Sequence, residues 1–167
     1  MNREFLEGNQ IVMGFPPADV SASASQTSDF VSLKNYDRCL CVFMAGAGTA
    51  GADTTVTLTQ ATAVAGTGEK ALTFTKVKTK QGVSMAAIGT FTEVTQTAAS
   101  TYTSATSGEA ETIWAIDVKR EDLDIANDFD CLRLSVSDHT AYKSGTVFYI
   151  LYDARHNLGD SLSAIAD

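Results

Sequence analysis

The chain has 167 residues, 44% of them hydrophobic and 19% charged, with a formal net charge of -8 and a pI near 4.6. That length suits one domain able to bury a core without staples. The acidic balance argues against broad binding to a nucleic-acid backbone, which needs clustered lysine and arginine. No apolar run approaches the ~20 residues that span a bilayer. The first eight residues lack the basic region and apolar core of a signal peptide. We therefore expect a soluble chain made in the cytoplasm, with neither nucleic acid nor membrane as partner.

Residues 1–28 differ in character from the remainder of the chain. Phe5, Leu6, Ile11, Val12, Met13 and Phe15 are apolar without a sustained period. Pro16-Pro17 blocks helix and central strand alike. Residues 21–28 are small and polar, as in a linker. We expect an arm and a tether, with the arm docked on its own domain or on a neighbouring subunit. The six apolar residues are its candidate contacts. On this reading, removal of residues 1–20 leaves a folded domain that attaches less well.

The domain proper starts at Asp29. Residues 30–33 form a short strand, residues 35–38 a turn rich in Asn and Asp, and residues 39–44 a buried strand. Cys39 and Cys41 lie two apart and so face one side of it. The only other cysteine is Cys131. An odd count with C-x-C spacing supplies neither a disulfide framework nor a zinc site. We expect three buried, reduced thiols, no metal and no cofactor.

Gly46, Gly48 and Gly51 match the G-x-G-x-x-G of dinucleotide-binding loops. That fingerprint needs a helix to open at the third glycine, and here residues 53–59 alternate like a strand instead. A plain loop is the expectation. Thr55, Thr57 and Thr59 then point outward while Val56 and Leu58 point to the core. Residues 61–68 are a small-residue loop. Residues 71–77 read as one strand, with Lys76, Lys78 and Lys80 in a row on one face. Such a row guards a sheet edge or meets an acidic partner surface. Residues 90–96 are a further strand, and residues 98–108 a Ser/Thr-rich loop.

The strongest signals lie between Glu111 and Asp153. Residues 112–118 hold the only tryptophan, Trp114. In residues 131–136, Leu132, Leu134 and Val136 alternate with Arg133 and Ser135, the period of a half-buried strand. Residues 146–152 are apolar on both faces, which predicts a central strand covered on both sides. Residues 119–127 fit a helical turn. Asp122, Asp124, Asp128 and Asp130 lack the order of an EF-hand loop and read as a solvated connection. In the tail, Leu158, Leu162 and Ile165 have the spacing of a short amphipathic helix or docking segment. His139 and His156 come without a nucleophile motif, and we expect no catalysis.

Short strands with Gly-, Ser- and Thr-rich loops predict an all-β fold, an antiparallel β-sandwich or jelly roll of about eight strands. Its domain spans residues 29–155, between the arm and linker of residues 1–28 and a C-terminal tail of residues 156–167. Within it, Trp114-Ala-Ile-Asp-Val, Glu121-Asp-Leu-Asp-Ile, Phe129-Asp-Cys-Leu-Arg-Leu-Ser-Val and Tyr149-Ile-Leu-Tyr-Asp-Ala-Arg155 follow one another. The opening Val-Ser-Leu-Lys-Asn-Tyr-Asp-Arg-Cys leads to Val-Thr-Leu-Thr-Gln-Ala-Thr. This succession resembles small structural proteins of tailed bacteriophage heads, over roughly residues 29–155. The resemblance implies a non-enzymatic virion component, a decoration or cement protein on the capsid surface. Its partners would be the major capsid protein and further copies of itself, as a trimer. The candidate subunit and capsid contacts are then Phe5, Leu6, Ile11, Val12, Met13, Phe15, Lys76, Lys78, Lys80, Leu158 and Leu162. Two rival readings stand beside it. One is a host- or carbohydrate-binding sandwich of a head fibre or tail, working through loop aromatics such as Tyr102 and Tyr142. The other is a connector or tail-completion protein.

Overall fold

The computed structural model describes residues 4–21, 26–137, 141–155 and 163–165. The described strands are β1 (Gln10–Asp19), β2 (Val31–Ser32), β3 (Tyr36–Ala45), β4 (Thr55–Ala61), β5 (Lys70–Ala71), β6 (Phe74–Gly82), β7 (Thr92–Ala99), β8 (Thr101–Thr103), β9 (Glu111–Lys119), β10 (Cys131–Val136) and β11 (Ser144–Ala154). All pair antiparallel. One sheet runs β1-β11-β3-β9-β6-β7, and the other runs β2-β10-β4-β5 with β8 also on β4. The expected β-sandwich is what the chain forms.

The core lies between the sheets. It takes Tyr36, Cys39, Cys41 and Phe43 from β3, Trp114, Ile116 and Val118 from β9, and Val147, Tyr149 and Leu151 from β11. These meet Val56 and Leu58 of β4 and Leu132, Leu134 and Val136 of β10. The period-2 alternation of β4 and β10 is therefore read correctly from the sequence. Cys39, Cys41 and Cys131 are free and buried. The Cys39 and Cys41 sulfurs lie 3.9 Å apart, and burial pushes the Cys39 thiol well up. Native thiols should accordingly react with a thiol reagent far more slowly than those of urea-unfolded chain. Equal rates would show that the core opens readily.

More strands form than expected, for local reasons. Residues 71–77 are not one strand. Leu72 turns into the core between β5 and β6, and the chain passes there from one sheet to the other. It returns at Ser100, between β7 and β8. The stretch at 98–108, expected as loop, thus contains the end of β7 and all of β8. Tyr102 on β8 packs edge-on against Trp114 with ring centroids 4.8 Å apart.

The segment expected as an arm lies on its own domain. Residues 10–19 form the edge strand β1, paired to β11, and the register slips at Pro16-Pro17. Proline lacks the N–H for a ladder, so an edge with a bulge is where it can sit. Val12 and Phe15 turn inward, and Val20 just after β1 is fully buried. Gly14 faces inward as well, where a Cβ would lie 2.8 Å from the Ser28 Cβ and 2.9 Å from a Val147 methyl. The chain returns beneath it, and the Gln26 carbonyl accepts from the Val136 N–H at 2.8 Å.

That return closes the free edge of β10. β2 pairs with Cys131 and Leu132, and Gln26 bridges Val136. Leu134, between them, is completed by side chains. The Ser28 hydroxyl donates to its carbonyl at 2.5 Å. The Leu134 N–H donates to the Tyr149 hydroxyl at 2.9 Å. Tyr149 belongs to the opposite sheet, so this bond ties the layers together through the core.

At one end of the sandwich the loops are pinned by Lys143. It is fully buried, and its ammonium donates to the Ser107 and Ala110 carbonyls. Burial pulls its pKa down. The glycine-rich stretch 46–51 belongs to this end and is a loop, as expected. Gly51 sits at φ 80°, and β4 follows where a dinucleotide fold would open a helix. The tail also touches its own domain. The Ser32 N–H donates to the Ala164 carbonyl at 2.7 Å, and Ala164 is buried.

Candidate interaction surface

Each sheet of a two-layer sandwich has one face with no layer against it. On the six-stranded sheet that outer face is apolar, because β3 and β11 are apolar at both parities. Directly opposed residues of antiparallel strands point the same way, so the registers lay the face out in rows. Lys80, Ile113, Met44 and Thr146 form one row. Lys78, Ala115, Val42, Phe148 and Met13 form the next. Asp117, Leu40, Ile150 and Ile11 form a third. The expectation that both faces of residues 146–152 are covered is thus corrected. β11 is flanked by β1 and β3, but Phe148, Ile150 and Tyr152 are only half-buried, and no layer lies over them.

Nine large hydrophobic residues are exposed among the described ones, and several of them lie on or beside this face. Ile11 is 52% exposed, Met13 60% and Met44 38%, all within these rows. Phe5, 58% exposed, lines a recess of about 410 Å³ on the same face with Leu40, Ile150 and Tyr152. Phe91 lies under the Lys80 ammonium, 4.9 Å from its ring centre. At the other end, Pro17, Met44, Ile113, Met85 and Thr146 line a second recess of about 300 Å³. Four strands roughly 4.8 Å apart, each spanning about seven residues at ~3.3 Å, give a sheet face of about 400 Å². That equals the largest apolar patch usual on a monomer.

Charge borders the apolar rows. Lys76, Lys78 and Lys80 share this face, as their spacing predicts. They do not guard an edge, because β7 lies outside β6. Glu93 of β7 accepts from Lys76 at 3.1 Å and Lys78 at 2.6 Å. The two ammonium groups hold the Glu93 carboxyl below the usual carboxylate range. At the far end, Arg38 and Tyr152 both donate to Asp117. The Arg38 guanidinium also stands over the Tyr152 ring at 5.1 Å. Burial, then Asp117, pushes the Tyr152 pKa up.

The structure sorts the sequence candidates. Phe5, Ile11, Met13 and the three lysines belong to this face, and Leu6 is exposed beside Phe5 in the same turn. Val12 and Phe15 turn into the core instead. Leu158, Leu162, His139 and His156 lie outside the described residues. Leu40, Met44, Ile113, Phe148 and Ile150 are additions. Tyr102 is not a free aromatic platform, since it packs on Trp114, whereas Tyr142 is exposed. In the acidic stretch, Asp122 accepts from the Lys119 N–H and Asp124 from Lys70 and Asn127. No grouping of three or more His, Cys, Asp or Glu suited to a metal occurs among the described residues.

No family model matches the chain, and no curated protein matches it. Among solved structures, the crystal structure of the SPBc2 prophage-derived protein YomS is similar at 11% identity and a TM-score of 0.47. The similarity covers 86% of this chain and 91% of that one.

Proposed function

We propose that this chain is a non-enzymatic structural protein of a tailed-phage virion that docks on the capsid shell and stabilises it. The observation that carries the reading is the uncovered apolar face with its lysine border. An apolar patch on a face of about 400 Å² is of the size that on monomers is often functional, and Ile11, Met13 and Met44 are its exposed members. The resemblance of residues 29–155 to phage head proteins supplies the class of partner. On a shell the same weak contact is repeated, and linked contacts gain strength through effective concentration. The protein acts as a homo-oligomer, a trimer, with the exposed Phe5 and Leu6 at the contacts between subunits.

Co-sedimentation with purified heads tests the reading. We expect saturable binding in a fixed ratio to the major capsid protein, and heads that survive osmotic shock better with the protein bound. Absence of binding at micromolar concentrations contradicts it. Light scattering on the free protein should give a multiple of the 17.7 kDa chain mass. A monomer at high micromolar concentration contradicts the oligomer.

A further inference from the structure

The lysine border says what chemistry the outer face accepts. Three lysines share this side of the face with two glutamates; Glu93 is taken by Lys76 and Lys78, and Glu111 is two residues from Ile113 on the same strand face. Lys80 has no carboxylate partner among the described residues; its ammonium rests on Phe91. In register, Lys80 stands directly beside Ile113, which stands beside Met44. Ile113 and Met44 line the recess of about 300 Å³ together with Met85 and Pro17. An apolar hole and an unmatched cation are thus adjacent positions of one row. Glu111 also lines the recess, but its carboxylate accepts the Met85 N–H.

We propose that this end of the outer face binds a partner segment carrying large apolar side chains next to carboxylates. An apolar side chain fills the recess at Met44, Ile113 and Met85, and a neighbouring carboxylate meets Lys80, with Lys78 next along the border. The recess volume, at the lower end for ligand pockets, holds a side chain or two rather than a cofactor. A second copy of this chain on this end of the face is an outcome the test separates, since the subunit contacts proposed above lie at Phe5 and Leu6. The proposal rests on the capsid-docking function and names the partner chemistry for it, yet its test needs no capsid.

Methionine-methyl NMR reads the site directly. Met13, Met44 and Met85 report on this face, and Met1 is the only other methionine. The probes are two blocked peptides, one of leucine and glutamate and one of leucine and lysine with the same length and order. At millimolar peptide, the glutamate peptide should shift the Met44 and Met85 methyls more than that of Met13, and the lysine peptide should not. Lys80→Glu should weaken the glutamate peptide roughly five- to tenfold, the scale of reversing one exposed charge pair. Lys34→Glu, a lysine beside β2 in the other sheet, should change nothing, and added salt should weaken the binding. Equal shifts by both peptides, no shift by either, or an effect of Lys34→Glu as large as that of Lys80→Glu overturn the proposal. So do methyl shifts that follow protein concentration without peptide, which would put a second copy on the face. If the peptides behave as expected and heads still do not bind, the site stands and the capsid is the wrong partner.

Discussion

Removal of residues 1–20 is expected to destabilise the chain by about 5 kcal/mol, while removal of residues 1–9 leaves its stability nearly unchanged. The longer deletion strips β1 from β11, so a strand that is internal becomes an exposed edge. It also takes Phe15 and Val20 out of the core. Burying each large apolar side chain is worth ~1.5–3 kcal/mol, which puts these two alone at ~3–6 kcal/mol. A domain is stable by only about 5–15 kcal/mol, so much of the truncated chain should unfold at 37 °C. The shorter deletion removes Phe5 and Leu6, which are exposed, and acts on the contacts between subunits instead. Urea unfolding of both truncations checks this. A midpoint for the 1–20 deletion close to that of the full chain would make β1 an ornament on the sheet.

Tyr149→Phe is expected to cost about 2–3 kcal/mol, far more than one exposed hydroxyl. The ring is fully buried and stays so in phenylalanine. Only the oxygen goes, and it accepts the Leu134 N–H at 2.9 Å and lies 2.5 Å from the Ser28 hydroxyl. No strand can take over that N–H, since neither β2 nor Gln26 reaches Leu134. Its N–H would be left buried and unpaired, at the ~1–3 kcal/mol typical of such a group. Burial also pushes the Tyr149 pKa far up, so the hydroxyl stays neutral across the working range of pH. Ser28→Ala should cost less, because it leaves a carbonyl short of a donor and keeps the N–H bonded. Equal unfolding midpoints for Tyr149→Phe and the parent would remove this tie between the layers.

Much of the fold is legible in the residues. Val56 and Leu58 on β4 and Leu132, Leu134 and Val136 on β10 alternate because one face of that sheet meets the core and the other meets water. β1 is less legible. Pro16-Pro17 reads as a stop, yet at an edge a proline costs only a ladder bond that nothing else would make. Leu72 hides the split between β5 and β6, since one apolar residue in a run does not say that it turns a corner. Lys143 cannot be recognised as buried from its own neighbourhood, because the carbonyls of Ser107 and Ala110 that hold it come from a distant loop.

The candidate surface is half visible in the residues. Phe5, Ile11 and Met13 stand out as apolar positions in a segment with no period. Leu40, Met44, Phe148 and Ile150 do not, because strands apolar on both sides suggest cover on both sides. The signal is present nonetheless. In a sandwich of two layers a doubly apolar strand has one face with nothing over it, and here two such strands, β3 and β11, are neighbours.

Cryo-electron microscopy of complete heads carrying the protein would show whether this face meets the shell. Sandwich-shaped density is expected on the outside of the shell, repeated with its symmetry. The outer face of the six-stranded sheet should lie against the capsid protein, with Met44 and Lys80 in the contact. Heads without such density, or a sandwich bound with that apolar face turned to solvent, would contradict capsid docking through this face.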